Sequence, residues 1–202
     1  LRKLFSVSQD RSGKNLHPKL ICPECGSHLM RGTVEEAGES WQCPNPDCPP
    51  QILLRVALWA SAEAMGFRHC NASLIKQLVR SGLVQDAAEF YRLKLSEISA
   101  LDGMDAGKAR EFFDDIASSK KREAWRVLTG LGIPNVGVDE ARAICRQFPS
   151  LDSLFAAGWE RIVSSSTVQE SVARSIAGWY ADPVNRRLVT RLQKIGLNFS
   201  TA

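Results

Sequence analysis

Cys22, Cys25, Cys43 and Cys48 are the residues of this chain most ready to do chemistry. They read CPECG, then CPNPDCP, with seventeen residues between Cys25 and Cys43. Two thiolates from each of two tight turns make four soft ligands, the set that a tetrahedral structural zinc takes. A catalytic zinc keeps one position open for water. Four cysteines with no histidine at a matching offset close the site instead. Proline follows Cys22, Cys43 and Cys48, and glycine follows Cys25, which suits knuckle turns that aim backbone amides at sulfur. Two disulfides, or four unrelated buried thiols, are the alternatives that the spacing leaves open. His28, three residues past Cys25, is a spare ligand that four cysteines make unnecessary. Cys70 and Cys145 lie in helical stretches and read as buried free thiols.

The composition bounds what can hold such a site. The chain has 202 residues, enough for one or two domains, and 44% hydrophobic content supports a packed core. It starts at Leu1 rather than methionine, so a segment of a longer protein is expected. No apolar run is long enough to span a membrane and no signal-peptide pattern opens the chain, so a reducing cytoplasm is expected. A net charge of +4 permits nucleic-acid binding without arguing for it. His17, His28 and His69 have no catalytic partner spacing, and no acid–base or nucleophile constellation stands out.

Residues 1–19 read as a tail with a strand in LRKLFSVSQ, and 20–50 as the zinc module with a short hairpin around GTVEEAGES. Trp41 is expected against the metal. From 51 to 202 the pattern is helical, beginning with a stripe of Ile52, Val56, Trp59 and Ala60. This region repeats internally. A shift of 64 residues lays Phe90 on Leu154, Ile98 on Ile162, Met104 on Val168 and Ala109 on Ala173, and a shift of 66 lays Cys70 on Val136 and Leu78 on Ile144. Two copies, about 60–122 and 123–182, then each hold two helical hairpins, with a C-terminal helix after them. The fold class expected is mainly α: a small four-cysteine zinc module followed by a helical domain of tandem hairpins. Each hairpin reads as a three-residue turn with an apolar middle, a few more residues, and then a helix.

The four turns are His69-Cys70-Asn71, Gly103-Met104-Asp105, Asn135-Val136-Gly137 and Thr167-Val168-Gln169. They resemble the helix-hairpin-helix motif, whose full turn is glycine–apolar–glycine. Glycines permit positive φ and bring amides close to a phosphate, while the next helix aims its N-terminus at the same phosphate. Such contacts position nucleic acid without reading sequence. Only the LGIPNVG turn keeps the second glycine, so Gly132, Asn135, Val136 and Gly137 are the candidate DNA contacts. Asn71 is expected to reach a left-handed conformation, Asp105 to set a carboxylate where phosphate approaches, and Gln169 to add bulk. Lys120, Lys121 and Arg122 read as solvated helix surface, Lys108 as a cation beside Asp102 and Asp105, and Trp125, Trp159 and Trp179 as core.

A four-cysteine module leading into four such turns is the order found in bacterial NAD-dependent DNA ligases. The chain resembles their zinc-finger and helix-hairpin-helix region through CPECGS, CPNPDCP, ASAEAM, LIKQLVRSGLV, ASSKKREAWRVLTGLGIPNVG and DPVNRRLVTRL. The resemblance implies that residues 1–19 end an oligonucleotide-binding barrel and that the parent protein seals nicks with NAD as adenylate donor. It also implies nicked duplex DNA and the other ligase domains in cis as partners, and a place in the bacterial cytoplasm near the nucleoid. The family's adenylated lysine sits in a KxDG motif that this chain does not contain, so it is expected to be inactive alone. The loss of turn glycines leaves a second reading, a ligase-derived scaffold or protein-interaction module.

Overall fold

The computed structural model describes residues 4–6, 21–32, 40–165 and 167–201. Most of the expected tail, including His17, lies outside them. The chain forms two compact units, Leu1–Leu54 and Arg55–Ala202.

The first unit holds a three-stranded antiparallel sheet in the order β1-β3-β2, from β1 (Leu4–Ser6), β2 (Met30–Gly32) and β3 (Ser40–Gln42). Strands β2 and β3 pair Met30 with Gln42 and Arg31 with Trp41, which is the hairpin expected between the cysteine pairs. Residues 33–39 of that hairpin are outside the described set. The helix α1 (Pro49–Ala60) starts directly after Cys48, and its amides at Gln51 and Ile52 donate to the Cys48 carbonyl. The stripe of Ile52, Val56, Trp59 and Ala60 is buried, as a helix with one apolar face requires.

Among its described residues the second unit is built of helices joined by short turns. Copy one holds α2 (Ala72–Arg80), a 3-10 turn at Glu89–Arg92, α3 (Leu95–Ser99) and α4 (Ala106–Ser119). Copy two holds α5 (Ala124–Gly130), α6 (Val138–Cys145), α7 (Leu151–Phe155), α8 (Trp159–Ser165) and α9 (Glu170–Ala181). The chain closes with α10 (Pro183–Ile195). The repeat shifts carry the start of α2 onto that of α6, α3 onto α8 and α4 onto α9. The repeat pairs Phe90/Leu154, Ile98/Ile162, Ala109/Ala173 and Leu78/Ile144 are all buried.

Helix starts explain the register. Asn71 Oδ1 accepts from Leu74 N at 2.9 Å and Asp105 Oδ1 from Lys108 N at 2.8 Å, so both are side-chain N-caps. Asp182 caps α10 with Pro183 in the first turn, and Gly196, at φ 86°, ends it in the left-handed region. The helices therefore begin at once after the three-residue turns, with no intervening residues of the kind the sequence suggested.

Small residues let the helices close on the core. A Cβ at Gly130 would stand 2.7 Å from Trp59 Cε3 and 3.1 Å from Ala64 Cβ, so α5 can lie this close to the buried indole only through glycine. Arg126, in the first turn of α5, fixes the other end by donating from Nη1 to the carbonyls of Ala62 (2.8 Å) and Ala64 (3.0 Å). Helix α10 reaches back to copy one: Arg191 pairs with Asp86 and Glu89, and Asn198 N donates to the Lys120 carbonyl at 2.9 Å.

Candidate metal centre and nucleic-acid interface

The four cysteines meet. One ligand atom from each of Cys22, Cys25, Cys43 and Cys48 lies within 4.8 Å of the other three. Cys22 and Cys48 sulfurs are 3.7 Å apart, and Cys25 and Cys43 sulfurs 3.5 Å. A tetrahedron with metal–sulfur bonds of about 2.3 Å has edges of about 3.8 Å, close to both distances. All six cysteines are free thiols, so the disulfide alternative is not realised. Three of the four ligand cysteines are buried, with Leu29 packed against them. Leu29 takes the place expected for Trp41, which is half-buried in β3. His28 is exposed outside the cluster.

Local geometry comes from the predicted turns. Gly26, at φ 72°, allows the first knuckle, where Cys22 N donates to Ser27 O at 2.7 Å and Gly26 N to Cys22 O at 2.9 Å. Gln51 Nε2 donates to the Cys43 carbonyl at 3.4 Å and ties the second knuckle to the start of α1. Hydrogen bonding to Ser27 holds the Cys25 thiol low, at about 6, while burial pushes the Cys43 and Cys48 thiols up. Thiolates crowded together in a dry pocket need a cation to neutralise them, and the donor set suits a soft divalent metal. Cys70 and Cys145 behave as expected of structural thiols: burial raises both to about 12.

The four turns share one conformation at their third residue. Asn71, Asp105, Gly137 and Gln169 are each the N-cap of the following helix, with φ of −93°, −97°, −92° and −66°. This is extended backbone that any residue adopts, so the expected left-handed Asn71 is not found. Lost glycines at this position cost no strain, and Asn and Asp are the better caps. Positive φ belongs to the first turn residue, and in only two hairpins: Gly103 at 77° and Asn135 at 62°. Of the four apolar plugs, Val136 is buried, and Cys70, Met104 and Val168 are half-buried.

Turn amides are largely taken by the protein itself. His69 N donates to Asp115 Oδ2 at 2.8 Å, and the His69 ring Nδ1 lies 3.0 Å from the same oxygen. Asp102 N donates to Gln77 Oε1 at 2.9 Å, and Gln77 Nε2 returns a bond to the Asp102 carbonyl at 3.1 Å. In the third hairpin Gly137 N donates to Glu140 Oε2 at 3.0 Å. The third turn carries no carboxylate of its own, but one folds over it from three residues on. Gln169, like Gly137, makes no side-chain cap bond to its helix. Gly132, at φ 66°, ends α5 with its Cα face against Leu58, while Asn135 Nδ2 donates to Ser175 Oγ of α9 at 3.1 Å.

Two clefts accompany the paired turns. One of about 510 Å³ lies between the third and fourth, edged by Asn135, Asp139, Glu140, Thr167 and Gln169. The other, of about 500 Å³, lies between the first and second, edged by Arg68, His69, Asn71, Gly103 and Lys108. Lys108 is bound to its own turn, with Nζ 3.5 Å from Asp105 Oδ2. Trp125, Trp159 and Trp179 are half-buried rather than sealed in the core. Trp125 lies under Arg126 and Arg142, with guanidinium carbons 4.5 and 4.3 Å from the ring centre, and Trp159 under Arg174 at 3.6 Å. Trp179 is half-buried near Phe155. Of the basic run, Lys121 is exposed as expected. Lys120 instead caps α4 over the Tyr91 ring, and the Arg122 guanidinium is about where a Cβ on Gly66 would touch it.

Four repeated turn-to-helix units behind a four-cysteine cluster define a helix-hairpin-helix protein with a candidate metal module. The family model for the helix-hairpin-helix motif matches residues 126–189. The chain is 35% identical over 177 residues to DNA ligase 2 of Deinococcus deserti, spanning 88% of this chain and 25% of that protein. It is 36% identical over 178 residues to a DNA ligase of Koribacter versatilis, spanning 88% and 26%. With a DNA ligase of Chlorobium phaeovibrioides it shares 35% identity over 200 residues, 96% of this chain and 29% of the relative. Over this span the chain is similar to DNA ligases. It covers about a quarter of the length of these relatives. No helix among the described residues is long and apolar enough to cross a membrane.

Proposed function

We propose that this chain grips duplex DNA through backbone phosphates, without reading sequence, as the C-terminal part of an NAD-dependent DNA ligase that seals nicks in replication and repair. The observation that carries the reading is the fourfold turn-to-helix repeat in a chain similar to DNA ligases over nearly all of its length. Residues 20–50 act as the zinc module, with a structural Zn2+ held by Cys22, Cys25, Cys43 and Cys48, and 51–202 as the helical DNA-binding domain. The turn at Asn135, Val136 and Gly137, with Gly132 behind it, sits beside the open N-terminus of α9. Gln169 supplies no side-chain cap there, which leaves the first amides of α9, at Glu170 and Ser171, to meet a phosphate. The remaining ligase domains, in cis and in the bacterial cytoplasm, supply the KxDG lysine and the NAD site, and a nick in the duplex is the substrate feature.

A second reading, a ligase-derived scaffold or protein-interaction module, draws support from the turn amides at His69, Met104 and Gly137 being satisfied internally. One titration separates the two. Fluorescence anisotropy with a nicked duplex at two salt concentrations is expected to show binding that weakens steeply with salt, log K falling by about 0.9 per phosphate neutralised. Absence of duplex binding by the folded, metal-loaded chain favours the scaffold.

A further inference from the structure

All four hairpins carry a cation at one shared position. Counting five residues on from the N-cap gives Lys76 after Asn71, Arg110 after Asp105, Arg142 after Gly137 and Arg174 after Gln169. The internal repeat agrees, because the shift of 66 lays Lys76 on Arg142 and the shift of 64 lays Arg110 on Arg174. Lys and Arg together number 26 of 202 residues, so a solvated helix face would not fill this position with a cation four times out of four. The turns themselves keep no such shared polar residue. All four cations are exposed, on the second helix of their hairpins and one turn below its N-terminus.

Their environments differ in an ordered way. In the second hairpin of each copy the cation is neutralised by a carboxylate one helical turn away: Arg110 by Asp114 at 3.1 Å and Arg174 by Glu170 at 2.6 Å. In the first hairpin of each copy, Lys76 and Arg142 have no carboxylate at ion-pair distance among the described residues. Arg142 lies over the Trp125 ring, its guanidinium carbon 4.3 Å from the ring centre, a cation–π contact that uses no N–H donor.

We propose that Lys76 and Arg142 are phosphate ligands on the helix flanks, a second row of backbone contacts beside the turns, and that Arg110 and Arg174 are their self-neutralised counterparts. This rests on the reading of the chain as a duplex binder and supplies contacts that its modified turns do not. Losing one phosphate contact should reduce the slope of log K against log salt by about 0.9. The test is anisotropy of the full chain with a nicked duplex across a salt series. Lys76→Gln and Arg142→Gln should each lower affinity and flatten the slope, and Arg142→Lys should restore the slope. Arg92→Gln and Arg161→Gln remove exposed cations outside the register and should leave the slope near the parent value. Glu170→Gln, which frees Arg174, should tighten binding. Circular dichroism checks that each variant is folded. If the parent shows salt-dependent binding while Lys76→Gln and Arg142→Gln behave like the two controls, the flank contacts are overturned and duplex binding stands. If the parent binds no duplex, both fall.

Discussion

A single carboxylate decides how open the best-preserved turn is. Glu140 folds back on Gly137 N, so a phosphate approaching that amide meets a like charge first. Glu140→Gln keeps an acceptor for the amide and removes the charge. Duplex affinity at low salt is expected to rise about threefold, the scale of one exposed charge contact of about 0.6 kcal/mol. Gly137→Asp adds charge at the same place and is expected to lower it, and anisotropy reads both. Sequence alone could not see this contact. A helix start with glutamate at the third position is recognised by a serine or threonine cap, and here the cap is glycine. The Asp115 partner of His69 was hidden for another reason: 46 residues separate them, and only packing of α4 brings them together. The cysteines were legible because their ligand chemistry is written in local spacing. Elemental analysis is expected to find one zinc per chain, and Cys43→Ser to lose it.

Helices here stand or fall on whether a small residue faces neighbours or water. Gly130 faces Trp59 at a distance no Cβ tolerates, so Gly130→Ala is expected to cost about 1–3 kcal/mol by overpacking. Gly178 lies inside α9 with nothing within 4 Å of its missing Cβ. Gly178→Ala is expected to add up to about 1 kcal/mol of stability through helix propensity. Thermal melts should therefore move in opposite directions for the same chemical change. The elements themselves were largely readable, since the apolar stripe of α1 and the spacing of Phe90, Ile98 and Ala109 repeat what the core buries. Their starting points were misplaced because the third turn residue is a helix cap. Asn71 and Asp105 announce that role by residue type, and reading them as degraded glycines obscured it.

At the scale of the molecule, the two units depend on different forces. Chelation of the metal is expected to abolish order around the cysteines, because so small a module lacks a core of its own. The helical circular-dichroism signal of Arg55–Ala202, which has a large apolar core, should persist. The pairing of Arg191 with Asp86 spans 105 residues and joins the last helix to the first copy. No periodicity or motif foretells it, because the partners share no repeat position. It also bears on the order of events during synthesis. A tandem array with contacts only between neighbours can fold as it is made, repeat by repeat. Here the first copy emerges from the ribosome long before the cation that clasps it exists. Closure of so long a loop comes late and slowly. The nascent helical unit therefore waits, incomplete, until α10 has cleared the exit tunnel and the clasp can shut.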